Sequence, residues 1–289
     1  MKKILFVLFT LIFINSCANA DVLKFAQLSD VHYPKIGVAG YEGRNFAFAI
    51  KNYKKAIDMI NNSDVDYVFF TGDIVDKSFE QVFNDFFKTT SKLNKKYYIS
   101  LGNHDSNSPN GFTKEDTIAY LKEHTPYQQE SASYFVELND KFIAVMLDGT
   151  NDYQMDSRGY FPKKTLKWLE ELLKENPDKQ FLIFQHFPLL EPVKDSAYVN
   201  KHSTRKKGYY IRLLKKYKNI VLIASGHYHV SCEKEKYGVK HYSTPALFLE
   251  DSYYRVFEID YDNGKINSIN SNLVPVKQWF NFFKPTWKI

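Results

Sequence analysis

Five short apolar segments of the sequence each lead into a side chain of a type that binds metal ions. Residues 22–28, 67–70, 97–100, 181–184 and 220–224 are rich in aromatic and β-branched residues, which predicts strands. The side chains that follow these segments are Asp30, Asp73, Asn103, His186 and His227. Because sites in open α/β sheets gather beyond the carboxyl ends of the strands, we expect these five strand ends to meet at one place.

The other elements complete an α/β (α+β) pattern. Apolar residues at helical spacing predict helices over residues 45–60, 79–93, 113–123, 162–173 and 209–217. Further strands are predicted at 135–137 and 142–147. A C-terminal hairpin is predicted to join 256–259 to 265–269 through an Asp-Asn-Gly turn. With 44% hydrophobic residues the composition is that of a folded protein. No repeat or low-complexity linker interrupts the pattern, so we expect residues 21–289 to form a single domain.

Each polar motif has a structural explanation when it is considered alone. DVH at residues 30–32 and GD at 72–73 are common turn sequences, and His186 alone would be interpreted as a core histidine. GHYH at 226–229 is more specific, since histidines two apart on a strand point the same way. GNHD at 102–105 is more specific because it should rarely occur by chance at average composition. Five of the eight histidines fall in this set, and we interpret His124, His202 and His241 as surface or rim residues. The motifs together, each at a strand end, indicate a shared metal site.

In this order the five motifs resemble those of the calcineurin-like metallophosphoesterase superfamily, over roughly residues 22–250. The resemblance implies a four-layer α/β/β/α sandwich with the metal site at the carboxyl ends of the strands. It implies one metal ion bound by Asp30, His32, Asp73 and His229. It implies a second ion bound by Asp73, Asn103, His186 and His227, so that Asp73 bridges the two.

The residue types agree with this chemistry. Imidazole and carboxylate ligands together suit Mn, Fe, Zn or Ni. Two such ions can hold a phosphate and generate a bridging hydroxide that attacks phosphorus, so that no protein nucleophile is needed. His104 is outside the implied ligand set, and we expect it to stabilise the phosphoryl group or protonate the leaving oxygen. Asp105 is expected to orient His104.

Several subfamilies of this superfamily have motif residues that this sequence lacks, which limits the subfamilies that it resembles. GDIVDKS at residues 72–78 lacks the arginine of protein Ser/Thr phosphatases, and His32 and Asp76 stand where purple acid phosphatases have glycine and tyrosine. The motif set is most similar to class III cyclic-nucleotide and glycerophosphodiester phosphodiesterases, as are STPA at 243–246 and YYRVFEID at 253–260. We therefore expect a small phosphodiester as substrate and no nucleic-acid partner. The alternatives are a phosphomonoesterase with the same site and an inactive, metal-stabilised binding protein.

The first twenty residues have the pattern of a secretory signal peptide. Two lysines precede an apolar run at 4–14 that is too short to span a bilayer, and ANA at 18–20 resembles a signal peptidase site. We expect an exported protein that begins at Asp21, with a lipoprotein anchored at Cys17 as the alternative. Removal of Cys17 would leave only Cys232 and no internal disulfide. The aromatic tail at 276–289 is expected to cover the sandwich; docking on a membrane surface is the alternative.

Overall fold

A computed structural model describes residues 21–38, 40–41, 44–125 and 130–276. The strands are β1 Asp21–Leu28, β2 Gly40–Tyr41, β3 Arg44–Asn45, β4 Tyr67–Thr71, β5 Lys96–Ser100, β6 Tyr134–Glu137, β7 Phe142–Met146, β8 Gln180–Phe184, β9 Ile220–Ser225, β10 Cys232–Lys236, β11 Val239–Ser243, β12 Tyr253–Asp262 and β13 Lys265–Pro275. The helices are α1 Ala49–Asn61, α2 Glu80–Thr90, α3 Lys114–His124, α4 Lys163–Glu175, α5 Ser196–His202 and α6 Gly208–Lys216. None of the helices described is long and apolar enough to cross a membrane.

Two large sheets form the centre of the fold. The first has the strand order β13-β12-β1-β4-β5, and the second has the order β10-β11-β9-β8-β7-β6. Strands β1, β4 and β5 are parallel neighbours, as are β7, β8, β9 and β11. The carboxyl ends of the parallel strands in each sheet therefore lie along one edge, where the loops that follow them can meet.

The alternation of side chains along β1 shows how the layers are built. Leu23 and Phe25 point into a core that also contains residues of the second sheet, such as Phe184, whereas Ala26 and Leu28 point into a core shared with the helices. Strands buried on both faces are apolar almost throughout, which is the pattern of β4 and β8.

Each outer face of the sheet pair is covered by helices. Helices α1, α2 and α3 pack on the first sheet, and α4 and α6 pack on the second. Between the sheets, Phe69 of β4 stacks on Phe184 of β8 with ring centroids 3.7 Å apart. The order of layers is helix, sheet, sheet, helix, which confirms the four-layer α/β/β/α fold expected from the resemblance.

Local sequence signals place most elements correctly. Thr113 and Asp116 form the two reciprocal bonds of a capping box at the start of α3. The C-terminal hairpin is longer than predicted, because β12 and β13 continue pairing from Asp262 back to Tyr253. The pair β10–β11 and helix α5 were not predicted. The signal peptide and Cys17, together with tail residues 277–289, lie outside the described residues.

Candidate metal centre

Five loops that leave the carboxyl ends of the strands carry the candidate site. Asp30 follows β1, Asp73 follows β4, Asn103 follows β5, His186 follows β8, and His227 follows β9. The side chains of Asp30, His32, Asp73, Asn103, His104, His186 and His227 are all buried. The loops of both sheets thus converge at one edge, as the sequence pattern predicts.

The backbone of these loops is held in an unusual conformation. Five of the candidate residues have φ in the left-handed region, at 51° for Asp30, 43° for His32, 50° for Asp73, 72° for His227 and 57° for His229. A non-glycine residue in this region costs about 1–2 kcal/mol. Such strain persists only where the surrounding structure enforces it, and it is concentrated at functional sites.

Two glycines allow the loops to approach each other closely. A Cβ atom at Gly102 would overlap with the backbone N and Oδ1 of Asp73. A Cβ atom at Gly226 would overlap with Ser29 Oγ and Asp30 Oδ2. Glycine in the GNHD and GHYH motifs is therefore needed because the neighbouring loop occupies the space of a side chain.

The first group of candidate ligands contains Asp30, His32 and His229. His229 Nε2 lies 3.2 Å from Asp30 Oδ1. His32 Nε2 lies 4.0 Å from the same oxygen and 3.5 Å from Asp73 Oδ2. Nitrogen and oxygen atoms of these side chains are thus close enough to share one ion.

The second group contains Asp73, Asn103, His186 and His227. His186 Nε2 lies 3.3 Å from Asp73 Oδ2, 3.2 Å from Asn103 Oδ1 and 3.1 Å from His227 Nδ1. His186 Nδ1 lies 2.9 Å from the carbonyl oxygen of Thr71. Because a carbonyl only accepts, Nδ1 carries the proton in this bond, and Nε2 faces the group and is the nitrogen through which the ring could bind a metal ion.

Asp73 connects the two groups through one oxygen. Its Oδ2 faces His32 Nε2 at 3.5 Å and His186 Nε2 at 3.3 Å, while its Oδ1 accepts a hydrogen bond from the backbone N–H of His104 at 2.8 Å. This is the arrangement required of a bridging carboxylate. Burial raises the pKa of Asp73, but the neighbouring His186 and His104 lower it well below its ordinary value, so the group is a carboxylate.

The donor set fits two metal ions. His32 Nε2 and His227 Nε2 are buried and have no hydrogen-bond partner among the described residues. Burial raises the pKa of Asp30, but the neighbouring His229 lowers it to about 2. The negative charge of buried carboxylates must be compensated by a nearby positive charge, and the histidine nitrogens that face the same space can act as ligands of a metal cation. The mixture of oxygen and nitrogen donors suits Zn, Mn, Fe or Ni.

His104 lies beside the two groups, with its ring 4.7 Å from that of His32. Its Nδ1 is 2.8 Å from the carbonyl oxygen of Asp76, so this nitrogen donates and Nε2 is left to act on another molecule. The expectation that Asp105 orients His104 is wrong. The Asp105 oxygens instead accept the backbone N–H groups of Gly102 at 2.7 Å and Val75 at 3.1 Å, so this carboxylate fixes the loops.

Asp76 is a residue of the site for which no role was predicted from the sequence. Its Oδ1 lies 3.3 Å from His32 Nδ1, and Arg44 reaches the same oxygen with Nε at 3.0 Å and Nη2 at 2.9 Å. A carboxylate behind a metal-binding histidine is a common way to orient the ring. The signals in the sequence were its position three residues after Asp73 and its place where purple acid phosphatases have a tyrosine.

The three histidines outside the motifs occupy different environments. His124 is exposed, and the half-buried His202 lies with its ring 5.5 Å from that of His227, at the rim of the site. The interpretation of His241 as a surface or rim residue is wrong, because β11 lies between β9 and β10 and the side chain is buried.

A cavity of about 570 Å³ opens next to Asp76. Its volume is within the range of sites for small organic ligands, roughly 300–1,000 Å³. The wall is mainly apolar and also carries amino groups; it includes Val38, Phe46, Phe79 and Met155 together with Lys35 and Lys77.

Comparisons with known proteins agree with this geometry. The family profile of calcineurin-like phosphoesterases matches residues 23–231. The chain is 26% identical to the 3′,5′-cyclic adenosine monophosphate phosphodiesterase CpdA of Haemophilus influenzae, over 81% of this chain and 79% of that protein. It is 28% identical to a probable glycerophosphodiester phosphodiesterase GpdQ of Arcobacter nitrofigilis, over 70% of each. Among solved structures, a dimetal phosphatase from Danio rerio has a similar fold, with a TM-score of 0.67 at 14% identity, covering 88% of this chain and 99% of that one.

Proposed function

The chain belongs to the calcineurin-like phosphoesterase family, a family of metal-dependent phosphoesterases, and from this premise we propose that it hydrolyses small phosphodiesters at a dinuclear metal site. The observation that carries the proposal is the position of Asp73 Oδ2, which faces an imidazole nitrogen of each ligand group at 3.5 and 3.3 Å. A carboxylate in this position can hold two ions at the short separation that two-metal hydrolysis requires.

Seven side chains would hold the ions. Asp30, His32 and His229 form one group, Asn103, His186 and His227 form the other, and Asp73 belongs to both. Bound divalent ions would supply the Lewis acidity that activates water and offsets the charge of the phosphate. Asn103 contributes a neutral oxygen, so the ligand set brings only the two negative charges of Asp30 and Asp73 and leaves a positive site for an anionic substrate.

His104 is the residue proposed to move a proton. Its Nδ1–H is directed to the carbonyl oxygen of Asp76, so the proton that it can give or take is on Nε2. In the imidazolium form Nε2–H can donate to the leaving oxygen of the ester, or to a phosphoryl oxygen whose charge grows in the transition state. The hydrogen bond to the backbone carbonyl of Asp76 fixes the ring, and the Asp76 carboxylate lies further away, with its Oδ1 3.8 Å from His104 Nδ1.

The cavity beside Asp76 can accommodate an organic group of a phosphate ester bound at the metal site. Its apolar wall is suited to the carbon skeleton of such a group, and the amino groups of Lys35 and Lys77 can contact its polar atoms. The two enzymes with which the chain was compared are named for cyclic nucleotide and glycerophosphodiester substrates. Both classes are small phosphodiesters, which is the substrate class proposed for this chain.

A hydrolysis panel with the metal-reconstituted protein tests this proposal. We expect bis-p-nitrophenyl phosphate, 3′,5′-cyclic AMP or a glycerophosphodiester to be hydrolysed faster than p-nitrophenyl phosphate. Asp73→Asn should abolish hydrolysis, and the same substitution at the exposed Asp58 on α1 is the matched control. Faster hydrolysis of the monoester would make the protein a phosphomonoesterase. Two bound ions without hydrolysis of any ester would favour the binding-protein alternative.

We also propose that the enzyme acts outside the cytoplasm. The support is the pattern of residues 1–20, in which two lysines and a short apolar run precede ANA at 18–20.

A further inference from the structure

A chain of buried hydrogen bonds runs from the guanidinium group of Arg255 to the carboxylate of Asp30. The successive donors and acceptors are Arg255 Nε to Thr244 Oγ1 at 3.2 Å, Thr244 Oγ1 to Gln27 Oε1 at 2.7 Å, Gln27 Nε2 to Thr71 Oγ1 at 2.8 Å, Thr71 Oγ1 to Ser29 Oγ at 2.9 Å, and Ser29 Oγ to Asp30 Oδ2 at 2.5 Å. Every one of these residues is no more than 1% exposed.

The direction of the first bonds follows from the chemistry of the groups. Arg255 has only donors, so Thr244 must accept from it and give its own hydroxyl proton to Gln27 Oε1. The orientation of the Gln27 amide is set independently, because its Nε2 also lies 3.0 Å from the carbonyl oxygen of Ser225. A carbonyl can only accept, so the atom facing it is the NH₂ group.

The same reasoning continues to the carboxylate. Thr71 accepts from Gln27 and gives its proton to Ser29 at 2.9 Å, whereas its other acceptor, the Leu28 carbonyl, is 3.5 Å away. Ser29 then gives its proton to Asp30 at 2.5 Å in preference to the Thr71 carbonyl at 3.5 Å. All the dipoles therefore point one way, from a cation to an anion, and aligned hydrogen bonds in a buried site strengthen one another.

The end of the chain determines which oxygen of Asp30 faces the metal site. Oδ2 accepts from Ser29 Oγ at 2.5 Å, and the backbone N–H of His227 is shared between Oδ2 at 3.0 Å and Oδ1 at 3.2 Å. Oδ1 faces His229 Nε2 at 3.2 Å and His32 Nε2 at 4.0 Å. The serine thus occupies one oxygen and directs the other toward the candidate ligands.

The chain also gives a role to two sequence features that the candidate site does not use. Thr244 belongs to STPA at residues 243–246, and Arg255 belongs to YYRVFEID at 253–260. Thr244 follows β11 of the second sheet, while Gln27 and Arg255 lie on β1 and β12 of the first. The remaining guanidinium donors reach Glu233, Ser271, Ser231 and the Ser243 carbonyl, so this cation is held in place at the junction of the sheets.

We propose that Ser29 and Thr244 are positioning residues for Asp30, and that this buried relay sets the affinity of the first metal ion and not that of the second. The proposal rests on the proposed function, because it assumes that Asp30 is a ligand. A hydroxyl that fixes a ligand carboxylate lowers the cost of holding it in place when the ion binds. The second group meets the relay through backbone atoms, namely the Thr71 carbonyl that accepts from His186 and the His227 N–H that donates to Asp30. Substitutions at Ser29 and Thr244 leave these atoms in place, so the affinity of the second ion should not depend on Thr244.

The test measures the dissociation constants of both Mn²⁺ ions by chelator competition. Asn103→Ala removes a ligand of the second group only and identifies which constant belongs to which ion. Ser29→Ala should weaken the first ion ~10–100-fold, the usual effect of removing a partner of a metal ligand. Thr244→Val, which keeps the shape and removes the hydroxyl, should weaken the same ion by a smaller factor. Thr244→Ser, which keeps the hydroxyl, should bind the first ion with the dissociation constant of the wild type.

A matched control separates this role from a purely structural one. Thr90→Val removes another buried threonine hydroxyl, one that bonds to the Phe86 carbonyl and the Tyr53 hydroxyl in the core beneath the helices. It should lower the melting temperature and leave both constants unchanged. If folded Thr244→Val and Ser29→Ala bind both ions as the wild type does, or weaken both equally, the relay has no such role. If the wild type itself binds no Mn²⁺, the proposed function fails, and the inference with it.

Discussion

At the scale of single residues, His104 has surroundings that separate catalysis from metal binding. Its ring is held by a backbone carbonyl, and each ligand group is formed without it. His104→Ala should therefore keep its metal ions and lose about 10²–10⁴-fold in turnover, the usual contribution of a general acid or base. Metal analysis together with steady-state kinetics checks both expectations.

The choice of ester then identifies what His104 does. An alkoxide leaving group needs a proton, whereas p-nitrophenolate leaves almost without one, so an acid role predicts a larger loss for alkyl esters. Equal losses for both esters would reject the acid role and leave stabilisation of the phosphoryl oxygens. Loss of an ion from His104→Ala would mean that the ligand set is incomplete.

The sequence motifs predict which residues converge at the site but not which residues they contact there. Asp73 and His186 were found because their residue types and their positions after strands are visible in the sequence. The role of Asp105 was assigned wrongly, since adjacency in sequence suggested a contact with His104, whereas the turn directs its carboxylate to backbone N–H groups. Arg44 and Ser29 had no signal, because their contacts depend on how separate loops pack.

At the scale of the elements, buried His241 on β11 predicts a specific dependence of stability on pH. Burial lowers the pKa of this histidine from 6.5 to about 4. In the unfolded chain it takes up a proton below about pH 6.5, whereas in the folded chain it stays neutral until about pH 4. Folding stability is therefore lost as the pH falls through this window, by up to ~1.4 kcal/mol per pH unit.

His241→Gln should remove this component of acid sensitivity. The free energy of unfolding, measured by urea denaturation at pH 7 and at pH 4.5, should fall less in the variant than in the wild type. The same substitution at the exposed His124 corrects for the loss of one imidazole. An equal fall in His241→Gln and the wild type would show that this side chain does not govern the acid response.

The errors in the elements predicted from the sequence have a physical cause. Strand β10 is charged and mostly exposed at a sheet edge, so it lacks the apolar alternation that predicts a strand. Hairpin β12–β13 extends beyond its apolar centre because β12 pairs with β1 over Arg255 to Tyr261 and with β13 on its other side. β12 depends on pairing with the distant β1, and β10 joins the sheet through β11, whose other neighbour is β9. Local propensity does not encode such pairing.

At the scale of the whole molecule, the architecture brings ligands from both sheets to one edge. The layer order followed from the resemblance, whereas the alternation of strands alone left the sheet order open. The relay from Arg255 to Asp30 crosses between the sheets at this edge, so packing of the sandwich and geometry of the site are linked. Substitutions at that junction should therefore affect metal affinity as well as stability.

The proposal of export predicts the mature N-terminus. Expressed in its natural host, the protein should be recovered outside the cytoplasm with Asp21 as its first residue, because ANA at 18–20 resembles a signal peptidase site. Intact-mass spectrometry of the natively exported protein measures this. A lipid-modified Cys17 as the N-terminus would make it a lipoprotein, and an unprocessed Met1 would contradict export by this route.

The central claim is that Asp73 bridges two metal ions, and the metal content of the purified chain tests it most directly. Elemental analysis after reconstitution with Mn²⁺ and removal of excess ion should give two ions per wild-type chain. Asp73→Asn should retain fewer and hydrolyse no ester, while Asp58→Asn should match the wild type. Two tightly bound ions and normal turnover in Asp73→Asn, or one ion or none in the wild type, would contradict the account.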